Sequence, residues 1–332
     1  AATAAAKADA STNGFADGSN GVTVDVNTGY VDSFTGSSGG VQVQVIQSYP
    51  RFFGSVFGSS NVQVTATAVA RMGGNANTCL YQLDPNGLPN FNGMNFNGPG
   101  CGIAMNGTGN FNGAHVDAAS ITYVTGHTPN TNGATFVEAT PAPGPAVTDP
   151  CPDISGCNYL TNNPPATTPC SSQFSGAGGN GYNGGAISGC YSNVNFNGAN
   201  LSLGSGTYVF TGSVNFNGAH ITGSDVTIYF PSNTCGNFNG ATLDISPPST
   251  GNTKGVLIYG APGASSCTPN FNGSSSSVAG LIYYAGYDVN WNGSVGNYTV
   301  LVTKSFNFNG SAQAFPSPPP GGALVQLPTL AE

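Results

Sequence analysis

Asn195-Phe196-Asn197-Gly198, Asn215-Phe216-Asn217-Gly218 and Asn237-Phe238-Asn239-Gly240 are three copies of one tetrapeptide. The same four residues recur at 90–93, 95–98, 110–113, 270–273 and 307–310, placing Phe91, Phe96, Phe111, Phe271 and Phe308 in the aromatic slot. The copy at 290–293 carries Trp291 there, and a degenerate copy at 130–133 carries Thr131. Start-to-start intervals of 20 separate 90 from 110, 110 from 130, 195 from 215, and 270 from 290. A short motif returning at such a period marks a solenoid, in which each repeat buries its apolar face only against its neighbours.

The flanking residues say what kind. In Val194-Asn195-Phe196-Asn197 and Val214-Asn215-Phe216-Asn217 apolar and polar side chains alternate, so in an extended strand Val and Phe point one way and both Asn the other. The following Gly takes positive φ readily and turns the chain. Coils stacked at about 4.8 Å pile aromatic on aromatic inside and Asn on Asn outside, the amides pairing from rung to rung. Second strands between the motifs are expected at 207–210, 226–230, 255–259, 280–284 and 299–302. The fold expected is mainly β: a right-handed parallel β-helix of about 20 residues per coil and ~11 coils, preceded by a small α+β domain. A leucine-rich horseshoe is the rival, but its leucine pattern is missing.

Composition removes several functions. Only 5% of the 332 residues are charged, and net charge is -8 with five Lys and Arg in total, so binding nucleic acid by counterion release has almost nothing to work with. Regular aromatic and β-branched positions argue against disorder despite 50 Gly. No apolar run of about 18 residues is present, so no membrane span is expected. The chain starts at Ala-Ala-Thr, read as an exported protein whose signal or anchor has been removed. A surface so poor in charge repels its copies weakly and favours self-association.

Eight cysteines, an even set without metal-ligand spacing, read as disulfides formed in an oxidising compartment. Cys235 and Cys267 precede successive motifs at nearly the same phase of adjacent coils. Cys170 with Cys190 and Cys151 with Cys157 close local loops, and Cys79 with Cys101 clamps the first coils; spacing alone leaves the connectivity open. The Pro- and Cys-rich run at about 140–191 interrupts the pattern and reads as a stapled excursion plus irregular coils. Domain bounds are expected at 1–72, 73–314 and 315–332. The last segment is a stiff then flexible Pro/Gly linker before an apolar tail containing Leu324, Val325, Leu327 and Leu330. That tail either caps the last coil or docks on another subunit by strand addition.

Residues 1–72 show an Ala-rich helix stopping at Asn13-Gly14, then alternating strands around Val22 to Val26, Val41 to Val45, and Val62 to Ala68, each with one buried face. Phe52, Phe53, Val56 and Phe57 fall at helical offsets and read as a short amphipathic helix. The run Tyr49-Pro50-Arg51-Phe52-Phe53-Gly54-Ser55-Val56-Phe57-Gly58 leading into Val62-Gln63-Val64-Thr65-Ala66-Thr67-Ala68-Val69-Ala70, with the strand at Gly21 to Val24, resembles the TadG-like proteins of bacterial tight-adherence (Flp) pilus-assembly systems. The resemblance implies an exported or surface protein and no catalytic residues.

Parallel β-helices also carry polysaccharide lyases and hydrolases, whose chemistry needs a base, a carboxylate-built Ca²⁺ site or two facing carboxylates. Asp225, Asp244 and Asp288 are the candidates, none in a close pair; His115 and His220 share a slot after their motifs, and His127 is isolated. Asp149 and Asp153 flank Cys151 and read as structural. The expectation is no enzyme, no cofactor and no metal: an extracellular structural protein that polymerises with itself head to tail. A carbohydrate-binding adhesin or a polysaccharide-degrading β-helix is the alternative, with surface glycans as partner of the outward Asn array. Sequons fall at Asn106, Asn272, Asn292, Asn297 and Asn309.

Overall fold

In the computed structural model, which describes residues 2–31, 38–50, 61–72, 77–171, 183–186, 188–263, 267–273, 275–292, 294–295, 299–308, 312–314 and 328–331, the tetrapeptide makes one recurring turn. The residue after the motif glycine donates its N–H to the carbonyl of the aromatic position, as in Ala114 to Phe111 at 2.8 Å and Ala219 to Phe216 at 3.0 Å. Gly113, Gly198, Gly218 and Gly240 sit at φ of 64, 65, 64 and 66°, the i+2 conformation of a type II turn that glycine takes without a Cβ penalty. The first Asn closes the turn from outside: Asn215 Oδ1 accepts the N–H of Asn217 at 3.0 Å, and Asn90 Oδ1 that of Asn92 at 3.1 Å.

Turns stack through both backbone and side chains. Phe216 N–H donates to Asn237 O at 2.8 Å, Phe238 N–H to Asn270 O at 2.7 Å, and Gly240 N–H to Asn272 O at 2.7 Å. The amide of Asn215 donates to Asn195 Oδ1 at 3.2 Å, that of Asn110 to Asn90 at 3.1 Å, and that of Asn292 to Asn272 at 2.6 Å. Inside, the rings lie face to face: Phe196–Phe216 at 5.3 Å, Phe216–Phe238 and Phe238–Phe271 at 4.8 Å, and Phe271–Trp291 and Phe91–Phe111 at 4.3 Å. All are buried. Such contacts each add about 0.5–1.5 kcal/mol beyond area burial.

The result is a parallel β-solenoid of about 10 turns, with the expected second strands observed at Gly206–Asn215, Val226–Phe230, Val256–Gly260, Gly280–Asn290 and Thr299–Asn307. Its coils do not stack in chain order. Along one wall the strands run Gly189–Asn195, Gly206–Asn215, Val226–Phe230, Val256–Gly260, Gly280–Asn290, Thr299–Asn307, and only then Asn77–Gln82, Asn95–Met105 and His115–Val124. The last described coil thus lies against the first, with Leu301 opposite Leu80 and Thr303 opposite Gln82. The ladder crosses this seam unbroken: Phe308 N–H donates to Asn90 O at 2.7 Å, and the Asn90 amide to Asn307 Oδ1 at 2.8 Å. Buried Gln82 fastens it, donating to Lys304 O at 2.9 Å and accepting Gly107 N–H at 2.6 Å.

This order revises two expectations. Phe96 is buried on a strand rather than in a motif turn: Asn95 and Phe96 pair with His115 and Val116, and Ala312 pairs with Asn95 from the other side. Met94, not an aromatic, follows the turn of the first copy, so the tandem copies at 90 and 95 are one turn and one strand. The described part of the run expected as an excursion, residues 140–171, is a return crossing. After the strand Ala142–Gly144 the chain passes Asn106 at Val147, Tyr283 at Asp149 and Tyr259 at Thr161, reaching Ser171, which bridges to Tyr191. The four disulfides are Cys79–Cys101, Cys151–Cys157, Cys170–Cys190 and Cys235–Cys267.

The second compact unit comprises Ala1–Gly74 with Gln326–Glu332; the solenoid unit is Asn75–Val325. Helix α1 (Ala2–Thr12) ends at Gly14, φ 91°, where Phe15 N–H donates to Ala10 O at 2.8 Å. Strands β1 (Val22–Val31), β2 (Ser38–Pro50) and β3 (Asn61–Met72) pair antiparallel. α1 lies against β1, where Val22 and Val24 are buried. The expected buried face of β3 is not observed: residues 62–68 are exposed throughout. The helix expected at 52–57 lies outside the described residues, as do Leu324, Val325 and Leu327. Leu330 belongs to the strand Pro328–Ala331, which neither caps a coil nor leaves the molecule but pairs antiparallel with β3, Leu330 opposite Ala70.

Two substitutions separate packing from turn conformation. Phe216→Ala should cost about 3–5 kcal/mol by opening a cavity in the aromatic pile. Gly218→Ala should cost about 1–2 kcal/mol through left-handed backbone strain, since a Cβ there meets nothing closer than 3.9 Å. Urea denaturation of both variants should return that order.

Candidate functional surfaces

Three surfaces hold the polar residues singled out by sequence: the Asn ladder, the wall bearing His115, His220 and Asp244, and the wall under the return crossing. In the ladder the first Asn of each motif has little left to offer a ligand. Asn110 Oδ1 accepts both Asn112 N–H at 3.3 Å and the Asn130 amide at 3.1 Å, while its own amide donates to Asn90. Asn195 accepts from Asn197 and Asn215, and Asn217 supplies the carbonyl that receives Gly198 N–H at 2.9 Å. The array that sequence presented as an outward hydrogen-bonding face is turned largely onto itself.

His115 and His220 do share one position of their coils, though the stacking order sets those coils apart. His115 pairs with Asn95 and Thr135, and His220 with Asn200 and Thr242; both are exposed. Among the described residues no group of three or more His, Cys, Asp or Glu is placed to hold a metal ion.

The three candidate carboxylates go to three places. Asp225, at φ 56°, accepts Ser249 N–H at 3.2 Å and shapes a corner. Asp288 lies 3.4 Å from Lys304. Asp244 alone faces a groove, about 520 Å³, lined by Ser202, Thr222, Ser224, Ser246 and Ser277. Hydroxyls and one carboxylate can hydrogen-bond a neutral polyol, but glycoside hydrolysis needs a second carboxyl about 5–9.5 Å away, and neither Asp225 nor Asp288 is in that lining.

The return crossing covers the third surface. Ile258 and Tyr259 alternate, so Tyr229, Tyr259 and Tyr283 lie on the outer side of their wall, stacked at 5.4 and 5.0 Å. They are nonetheless buried, and the crossing meets the hydroxyls of Tyr259 and Tyr283. Thr161 in helix α2 (Ser155–Asn162) shares a 2.8 Å hydrogen bond with the Tyr259 hydroxyl. Tyr283 donates to Asp149 at 2.6 Å, and Asp149 also accepts Cys151 N–H at 2.9 Å. Asp149 is therefore a structural group. Asn106 pins the start of the crossing, its amide donating to Leu83 O and Val147 O at 2.9 and 2.8 Å and its Oδ1 accepting Val147 N–H at 2.7 Å. A buried, fully bonded amide cannot receive a glycan, which removes one sequon. This tyrosine surface was invisible to sequence reasoning; the repeated Ile-Tyr pairs at 228, 258 and 282 were the available signal.

Among the described residues no helix is long and apolar enough to cross a membrane. Residues 1–70 match the family model described as putative Tad-like Flp pilus-assembly. No curated protein and no solved structure matches the chain. The pilus-assembly match and the four disulfides point to a surface or exported protein with a pilus-related role.

Burial pushes the hydroxyls of Tyr208 and Tyr229 up to about 12 and those of Tyr259 and Tyr283 upward, the last also through its bond to Asp149. An unfolded tyrosine ionises near 10, so between pH 10 and 12 the unfolded chain binds fewer protons than the folded one and stability falls as pH rises. Thermal melts should hold steady up to about pH 10 and drop above it, with part of the tyrosine absorbance titrating only on unfolding.

Proposed function

We propose that this protein is a non-enzymatic structural subunit of a pilus-related extracellular assembly, a solenoid with an α+β head that joins its copies head to tail in a filament. The match of the head to a pilus-assembly family model carries this reading. What supports the absence of catalysis is how the polar residues are used: ladder amides on each other, Asp149 on the crossing, Asp225 on a corner and Asp288 on Lys304. A low charge density lowers the repulsion that opposes packing many copies together. Contacts that repeat without closing give an open filament.

One observation favours a second reading, a carbohydrate-binding adhesin: the groove at Asp244 with its row of hydroxyls. Electron microscopy of purified protein over a range of concentrations decides the first reading. Filaments are expected, and monodisperse particles under every condition reject it. A glycan panel with product detection decides the second: binding lost in Asp244→Asn establishes an adhesin, and released sugar overturns the non-enzymatic assignment.

A further inference from the structure

Assembly through strand pairing needs an edge that accepts a strand, and the described edges differ in this respect. The solenoid coil at 130–145 ends in Pro141, Pro143 and Pro145, residues without an N–H that blunt an edge. At β1, Asp17 Oδ1 accepts Val24 N–H at 2.8 Å, Gly18 N–H donates to Val22 O at 2.9 Å, and Asp25 adds charge to the strand. β3 carries no proline, and its one charge is Arg71 near its end. Val62 and Val64 on it are 37% and 55% exposed.

The strand that fits β3 is supplied by this chain after the solenoid. Pro328, Thr329, Leu330 and Ala331 pair with Met72, Arg71, Ala70 and Val69. Residues 315–327 separate that strand from the described strand Ala312–Ala314, a contour of roughly 45–50 Å when extended. Pairing with β3 of the same copy and with β3 of a neighbour makes the same four backbone pairs. The choice between them rests on the tether: a short linker holds its strand at an effective concentration on the order of millimolar, and a neighbour's strand competes once copies approach that concentration.

We propose that β3 is the docking edge for a second copy, and that its occupant there is the C-terminal strand Pro328–Ala331 of the neighbouring subunit, exchanged for the strand of the same chain. Each copy can both give and receive a strand; when the strand is passed on to a third copy rather than returned to the first, the contact is heterologous and extends without closing. This names the joint of the filament and rests on the self-assembly reading above.

The register supplies the test. Full-length Arg71→Cys and Thr329→Cys proteins, each made separately, are mixed at increasing concentration and mildly oxidised. Pairing within one copy cannot link them, whereas exchange brings the two sulfurs together. A covalent dimer whose share rises with concentration is expected, with none from Arg71→Cys mixed with Thr23→Cys on β1. Absence of the dimer at millimolar protein, while the Arg71→Cys/Thr329→Cys double variant closes its disulfide within one chain, overturns the exchange. Microscopy separates the two claims: filaments that form without the cross-link leave the self-assembly reading standing and reject this joint, whereas a cross-linked dimer without filaments keeps the joint and rejects the filament.

Discussion

The structure depends on one repeated event, the capture of a turn by the turn beneath it. Each Asn-Phe-Asn-Gly copy places a ring on the ring below, a backbone N–H on the carbonyl below and an amide on the amide below. No single turn is stable alone, because its Phe has nothing to bury against and its Asn no amide partner. Glycine makes the geometry possible and the side chains make it additive. The outcome is a core of aromatic rings under a skin of amides with very few charges.

That additivity explains how the coils can stack out of chain order. A rung matches its neighbour through local chemistry, and the local chemistry of residues 90–93 suits residues 307–310 as well as it suits 110–113. The chain therefore starts its solenoid in the middle, winds to one end, returns along the outside and winds back to the seam. The return requires a covered surface, and the Tyr229, Tyr259 and Tyr283 stack provides it, with Thr161 and Asp149 meeting the hydroxyls. Gln82 holds the seam because a buried amide forces its neighbours into one register when each of its groups is bonded.

The same economy limits chemistry. Polar groups engaged by turns, corners and the crossing have fewer hydrogen bonds left for a substrate, whereas in the Asp244 groove hydroxyls and a carboxylate converge. With the head matching a pilus-assembly family model, a structural role is the reading that uses the most of the molecule. The inserted topology matters here too: the sheet of residues 1–72 is completed by the strand Pro328–Ala331 from beyond the solenoid.

The sequence by itself determined the repeat, the inward aromatic and outward Asn faces, the positive-φ glycine and the strands of the head, because these follow from the chemistry of a few adjacent residues. It also placed the cysteines at phases that pair, and the three carboxylates at positions that do not. Only the tertiary structure decided the order of coils, the seam between residues 299–307 and 77–95, the strand position of Phe96, the tyrosines met by the crossing, and the strand partner of Leu330. The physical reason is degeneracy: when every turn offers the same ring, amide and backbone groups, local sequence fixes what a rung looks like but leaves its neighbour to be chosen by the packing of the whole.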